Sequence, residues 1–105
     1  TQGMSAALFE EKIMDPETGT MVNPNFHDYK VATSMDIPEI EPVFVDLIDD
    51  RLSNMGAKGL GEPGRIPASA AIANAVFNAI GVRPGEIPMT PAKVLQALKR
   101  TEAKS

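Results

Sequence analysis

A single carboxylate, Glu62, lies in the most glycine-rich stretch of the chain, residues 56–64 (GAKGLGEPG). Glycine lets the backbone take positive φ and lets a ligand approach it closely. Pro63 disfavours the helical region for the residue before it, so the Glu62 side chain is expected to project from an extended or turning backbone. A carboxylate held in this way can serve as a general base if a removable proton lies within reach. The alternative is a solvated loop carboxylate without a chemical role.

Residues 59–64 also match the pattern G-x-G-x-x-G, which joins a strand to a helix in dinucleotide-binding folds. Pro63 and Pro67 are incompatible with an uninterrupted helix from this point. No strand with a ribose-binding acid follows at the right distance. The stretch also lacks the Gly-Lys-Ser or Gly-Lys-Thr of a phosphate-binding P-loop. We therefore expect this loop to bind no nucleotide.

The rest of the sequence shows no pattern typical of a catalytic triad or a metal site. His27 is the single histidine and the chain has no cysteine, so a disulfide framework is excluded. No cluster of side chains has metal-ligand spacing, and we expect no metal bound by side chains of this chain. The serines lack a neighbouring base or a nucleophile-elbow motif.

The composition is that of a small globular domain with an acidic balance. The 105 residues are 43% hydrophobic and 23% charged, with a net charge of −4, which is ordinary for one domain. Because no basic stripe is present, we expect neither nucleic acid nor an anionic membrane surface as a partner. No apolar run reaches the length of a transmembrane helix, and no signal-peptide pattern is visible.

Upstream of the glycine loop, periodicity predicts one helix and one strand. Apolar residues at helical spacing predict an amphipathic helix over residues 4–14. Residues 20–42 contain several turn signals and are expected to be irregular. Residues 42–48 (PVFVDLI) are rich in β-branched and aromatic side chains and predict a short strand.

Downstream of the glycine loop, two helices are predicted. The first covers residues 69–80, with Gly81 as its C-terminal stop. The second begins after Thr90, an N-cap followed by proline at the first helical position, and ends near Arg100. The predicted class is α+β: a helix, a long irregular segment, one or more short strands, the glycine loop and two C-terminal helices.

Short motifs along almost the whole chain, from Gln2 to about Leu98, resemble those of a known family in order and spacing. The motifs are residues 2–3 (QG), 7–11 (ALFEE), 28–30 (DYK), 36–38 (DIP), 58–63 (KGLGEP), 71–76 (AIANAV), 81–83 (GVR) and 88–91 (PMTP). Together they resemble the C-terminal end of the large subunit of molybdenum hydroxylases, the xanthine dehydrogenase and aldehyde oxidase family.

The resemblance implies roles for individual residues. Glu62 would be the active-site base, which takes the proton from a molybdenum-bound hydroxyl before that group attacks an aldehyde, N-heterocycle or purine carbon. Gly59 and Gly61 would let the molybdenum–molybdopterin cofactor approach, and Gln2 and Gly3 would lie near it. The implied partners are the remainder of the large subunit, iron–sulfur and FAD domains or subunits, and a small-molecule substrate.

The resemblance also implies that this chain works as part of something larger. We expect residues 1–105 to be a single domain that forms the C-terminal portion of a molybdopterin-binding domain. Most cofactor-binding loops of the family lie upstream of this portion, so the isolated chain is expected to be inactive. The expected compartment is the cytoplasm, with the periplasm as the alternative. The competing hypothesis is a non-catalytic structural or assembly fragment of such a complex.

Overall fold

Three α-helices joined by long irregular segments make up the chain in a computed structural model, which describes residues 1–103. Helix α1 spans Gln2–Leu8, α2 spans Ala68–Ile80 and α3 spans Pro91–Glu102. Helix α1 packs against α2. The N-terminal helix and the two C-terminal helices were therefore predicted correctly in type and order.

The boundaries of α2 and α3 follow local sequence signals. Gly81 ends α2 in the left-handed conformation, with φ at 72°, and its N–H donates to the Phe77 carbonyl at 2.8 Å. Thr90 caps α3, since its hydroxyl oxygen accepts from the Lys93 N–H at 3.4 Å. The start of α2 differs by one residue from the predicted range of 69–80, because the helix begins at Ala68 with Pro67 at the N-cap position.

Helix α1 covers Gln2–Leu8, whereas a helix was predicted over residues 4–14. The observed helix therefore starts earlier and is much shorter than expected. Beyond the end of α1, Asn23 holds residues 11–13 outside a helix. Its side-chain oxygen accepts from the Ile13 N–H at 2.9 Å, and its amide group donates to the Glu11 carbonyl at 2.6 Å. A longer α1 would need the Ile13 N–H for its own i→i−4 ladder. The chain instead turns back, and Met14 forms an isolated antiparallel bridge with Met21.

The strand predicted over residues 42–48 is absent from the structure, and within residues 1–103 that isolated bridge is the sole β-pairing. The α+β class is therefore not confirmed for this chain. Residues 42–48 have the composition of a strand, but strand formation depends on pairing and on burial of the side chains against neighbours. No segment of the described chain lies alongside them in a ladder.

Little of the described chain is buried. The buried hydrophobic side chains are Ala7 and Met89, and the buried polar ones are Ser5 and Asn23. Gly3 and Pro88 are buried as well. Every residue from 38 to 67 is exposed. The radius of gyration is 18.4 Å, whereas a compact domain of this length would have about 13 Å. The chain is thus extended, and many of its large hydrophobic side chains are exposed. None of the helices described has the length and hydropathy needed to cross a membrane.

Candidate active site around the glycine loop

Glu62 lies on an exposed loop that continues into α2 through two turns. The Arg65 N–H donates to the Glu62 carbonyl at 2.8 Å, and the Ala68 N–H donates to the Arg65 carbonyl at 3.1 Å. The Glu62 backbone is therefore tied to the first residue of α2. Within residues 1–103 the Glu62 carboxylate has no hydrogen-bond or ion-pair partner. This side chain is free to meet a group supplied from outside the described chain.

The glycines of the loop do not all have the same structural reason to be glycine. Gly56 has a φ of 62°, a conformation that other residues rarely adopt, and its N–H donates to the Ser53 carbonyl at 3.0 Å. A methyl group built on Gly59 or Gly61 meets no atom within 4 Å, and neither residue has positive φ. The backbone conformation at position 56 therefore explains why a glycine is found there. At Gly59 and Gly61 the structure leaves open space in which a bulky ligand could approach.

Gly3 is buried where α1 crosses α2. A methyl group built on Gly3 would overlap the Ala68 side chain and would lie 3.3 Å from the Arg65 carbonyl oxygen. Gly3 therefore has a packing role: it allows α1 to approach the turn that follows Glu62. Gln2, on the same helix, is exposed. The structure thus brings the start of α1 next to the end of the glycine loop, while cofactor contacts of Gln2 and Gly3 stay predictions.

Gly3→Ala should destabilise the α1–α2 contact, although alanine favours a helix over glycine by about 1 kcal/mol. The overlap joins two Cβ atoms, so no side-chain rotation relieves it, and overpacking of this kind costs about 1–3 kcal/mol. We expect a net loss of about 1 kcal/mol, measured as a lower melting temperature of the full chain. Gly85→Ala is the matched control, because a methyl group there meets nothing within 4 Å. Adding Ala68→Gly should restore the melting temperature, and an unchanged value for Gly3→Ala alone would contradict this packing role.

A polar cluster that the sequence analysis did not assign lies beside this crossing. The Tyr29 hydroxyl donates to Glu10 Oε2 at 3.0 Å, and this hydrogen bond raises the pKa of Tyr29. Both residues line a surface cavity together with Arg65. The three side chains come from separate segments, so no local pattern in the sequence could have brought them together. They place ionisable groups next to the turn that holds Glu62.

The described residues can also be compared with the donor groups of a metal site. In the described part of the chain, no three His, Cys, Asp or Glu side chains are grouped so that they could ligate a metal ion. The site offers one unpaired carboxylate beside open glycine backbone.

Comparison with known sequences identifies relatives along most of the chain. The family profile described as molybdopterin cofactor-binding domain matches residues 1–38. The chain is 46% identical, over 94 residues, to the putative xanthine dehydrogenase molybdenum-binding subunit of Escherichia coli K12, a match that covers 90% of this chain. It is 47% identical, over 98 residues, to the aldehyde oxidoreductase molybdenum-binding subunit of Escherichia coli K12, covering 93% of this chain.

A solved structure supports the same relationship. Quinoline 2-oxidoreductase from Pseudomonas putida 86 matches this fold with a TM-score of 0.76 and 30% sequence identity, covering 92% of this chain and 13% of that one. The chain belongs to the molybdenum hydroxylase family, which confirms the resemblance seen in its motifs. It spans 12–13% of the length of the two curated Escherichia coli relatives.

Proposed function

We propose that this chain is the C-terminal part of the molybdopterin-binding domain of a molybdenum-cofactor oxidoreductase, and that Glu62 is the catalytic base. The enzyme would hydroxylate an aldehyde carbon or a carbon of an N-heterocycle or purine. The observation that carries the proposal is the exposed Glu62 carboxylate. It has no partner within residues 1–103, and it sits beside open space at Gly59 and Gly61 in a chain of this family.

In the proposed mechanism, Glu62 accepts a proton while the hydroxyl group is transferred to the substrate carbon. The molybdenum cofactor, when bound, supplies the oxygen-transfer and electron-accepting chemistry. The turn formed by residues 62–65 fixes the Glu62 backbone relative to α2, and positioning of this kind lowers the entropic part of a barrier. Because the carboxylate has no ion-pair partner within residues 1–103, it can accept a proton from a bound group without first giving up such a pair.

We further propose that activity needs the remainder of the large subunit. Two features support this: the chain spans only 12–13% of relatives that are themselves named as subunits, and residues 38–67 are exposed without interruption. Iron–sulfur clusters and FAD would lie on partner domains or subunits. For the assembled domain, the α+β class, the single-domain extent of residues 1–105 and the cytoplasmic location are parts of the same proposal.

A chimaera tests the proposal. This chain would replace the matching 98 residues of the Escherichia coli K12 aldehyde oxidoreductase molybdenum-binding subunit, produced with that enzyme's own partner subunits. We expect the chimaera to contain molybdenum and pterin in the parent's ratio to protein and to oxidise aldehydes or N-heterocycles. The same subunit without the segment is the control and should do neither.

The outcomes separate the two functional hypotheses. A chimaera that assembles with cofactor but shows no turnover would favour the non-catalytic structural or assembly fragment. A chimaera that fails to assemble or to bind the cofactor would contradict the proposal that this chain can serve as that part of the subunit.

A further inference from the structure

Arg65 follows Glu62 by a single turn of the chain, and its side chain lies against α1. A methyl group built on Gly3 of α1 would lie 3.7 Å from the Arg65 Cγ atom. The backbone of the same residue closes the turn, because the Arg65 N–H donates to the Glu62 carbonyl at 2.8 Å. Arg65 therefore links the turn that carries the proposed base to the helix that packs against α2.

The Arg65 side chain also lines a surface cavity of about 390 Å³, whose other charged or titratable groups are Glu10, Glu11, Lys12 and Tyr29. The Tyr29 hydroxyl donates to Glu10 Oε2 at 3.0 Å. That hydrogen bond raises the pKa of Tyr29, whereas the positive charge of Arg65 lowers it. The guanidinium thus acts on the Glu10–Tyr29 pair through its charge, although Arg65 forms no ion pair at contact distance within residues 1–103.

The Glu10–Tyr29 pair is itself held in place from both sides. The Glu10 N–H donates to the Ser5 carbonyl at 3.1 Å, and the Tyr29 N–H donates to the Asn25 carbonyl at 2.8 Å. Both residues of the pair are half-buried. A carboxylate fixed just beyond α1 therefore shares the cavity with the cation of the turn, and the two opposite charges attract each other.

The other side chains of the glycine loop give the turn little polar support. Within residues 1–103, none of the side chains of residues 58–67 makes a hydrogen bond or an ion pair. The stem of Arg65, which packs beside Gly3, and its charge therefore add an attachment to α1 that the backbone turn alone does not provide.

We propose that Arg65 is a positioning residue for Glu62, and that its side chain holds the turn of residues 62–65 against α1 and the Glu10–Tyr29 pair. This inference rests on the proposed function. A misplacement of about 1 Å at a reacting group can lower a rate about 10²-fold, and so short a turn transmits a shift of Arg65 directly to Glu62. Arg65 acts on the reaction through Glu62 and not by contact with the substrate.

Substitution of Arg65 in the assembled chimaera tests this role. Arg65→Ala removes the stem and the charge, so kcat should fall at least about tenfold, while KM stays within about twofold. Molybdenum and pterin content should not change. Arg65→Lys keeps a long stem and a positive charge and should restore kcat to within about threefold of the unsubstituted chimaera.

Lys12→Ala is the matched control, because Lys12 lines the same cavity but is not part of the turn. Its kcat should equal that of the unsubstituted chimaera. An unchanged kcat in Arg65→Ala, or an equal loss in Lys12→Ala, would overturn the inference. Loss of cofactor content in Arg65→Ala would overturn it too, since the residue would then serve assembly.

A double substitution separates positioning of the base from general support of the fold. Arg65→Ala added to Glu62→Gln should cause no further loss of turnover, because the effect of Arg65 passes through the base that has already been removed. A further loss of about tenfold in the double variant would show that Arg65 acts independently of Glu62.

Tyr29 provides a readout in the full chain that needs no activity. It is the single tyrosine, and the chain has no tryptophan, so the ultraviolet absorbance of tyrosine ionisation reports on this residue alone. Arg65→Ala should raise the pKa of Tyr29 further, because it removes the charge that lowers this pKa, whereas Lys12→Ala should leave it unchanged. An unaltered Tyr29 titration in Arg65→Ala would contradict the attachment. If Glu62→Gln kept full turnover while the titration shifted as expected, the proposed base would be wrong and the attachment of the turn by Arg65 would stand.

Discussion

Glu62→Gln should lower turnover of the assembled chimaera by about 10²–10⁴-fold, the usual loss when a positioned general base is removed. Glutamine keeps the size and shape of the side chain but cannot accept a proton. The structure gives this side chain no hydrogen bond or ion pair within residues 1–103, so the substitution removes no contact that holds the described fold. The loss should therefore appear in kcat, with little change in melting temperature.

Two accompanying measurements make this result specific. Molybdenum and pterin content should equal that of the unsubstituted chimaera, because Glu62 is proposed as a base and not as a metal ligand. Glu39→Gln is the matched control: this carboxylate is also exposed in the stretch of residues 38–67 and should tolerate the change. Turnover of Glu62→Gln close to that of Glu39→Gln would refute the assigned role.

Elements whose ends are set by contacts between residues close in sequence were predicted well. Elements that depend on contacts between distant residues were not. Gly81 ends α2, and Thr90 with Pro91 begins α3, through contacts within a single helical turn. These boundaries could be predicted because cause and effect lie within a few residues. Residues 11–13, which were predicted to be helical, are instead held by Asn23, which lies ten residues from Ile13 in sequence. No periodicity in residues 4–14 indicates that contact, so the predicted helix was too long.

The strand predicted over residues 42–48 is not confirmed, for a different physical reason. A run such as residues 42–48 has the side chains that suit a pleated, buried surface, but a strand exists only where another strand accepts its hydrogen bonds. Within residues 1–103 nothing pairs with it. The sequence therefore carries information about an environment that the described chain does not contain.

In the candidate site, too, features carried by a local motif could be predicted, and contacts between distant residues could not. Motifs pointed to Glu62 and its neighbouring glycines, and the structure leaves that carboxylate and the space at Gly59 and Gly61 open. The packing of Gly3 against Ala68 had no local signature, because the two residues lie on different helices. A glycine required for helix packing and one expected near a cofactor look identical in sequence.

Asn23→Ala should lower the free energy of unfolding of the full chain by about 2–3 kcal/mol. Asn23 is 3% exposed, and it satisfies the Ile13 N–H and the Glu11 carbonyl at once. Its removal leaves two backbone groups without partners in a partly buried region, and each such group costs about 1–3 kcal/mol. The bond to the Glu11 carbonyl also steadies the residue whose carboxylate pairs with Lys93 of α3 at 2.7 Å. Loss of Asn23 should therefore loosen α3 as well.

Urea unfolding of the full chain, together with exchange of the Ile13 amide, would measure this effect. Asn78→Ala is the matched control, since Asn78 is exposed on α2, and it should leave the free energy of unfolding within about 0.5 kcal/mol. The free energy of unfolding of Asn23→Asp should lie between those of Asn23→Ala and Asn78→Ala. A carboxylate still accepts from the Ile13 N–H but cannot donate to the Glu11 carbonyl. If the free energy of unfolding of Asn23→Ala equalled that of Asn78→Ala, and the Ile13 amide exchanged no faster, the Asn23 contacts would not be what holds residues 11–13.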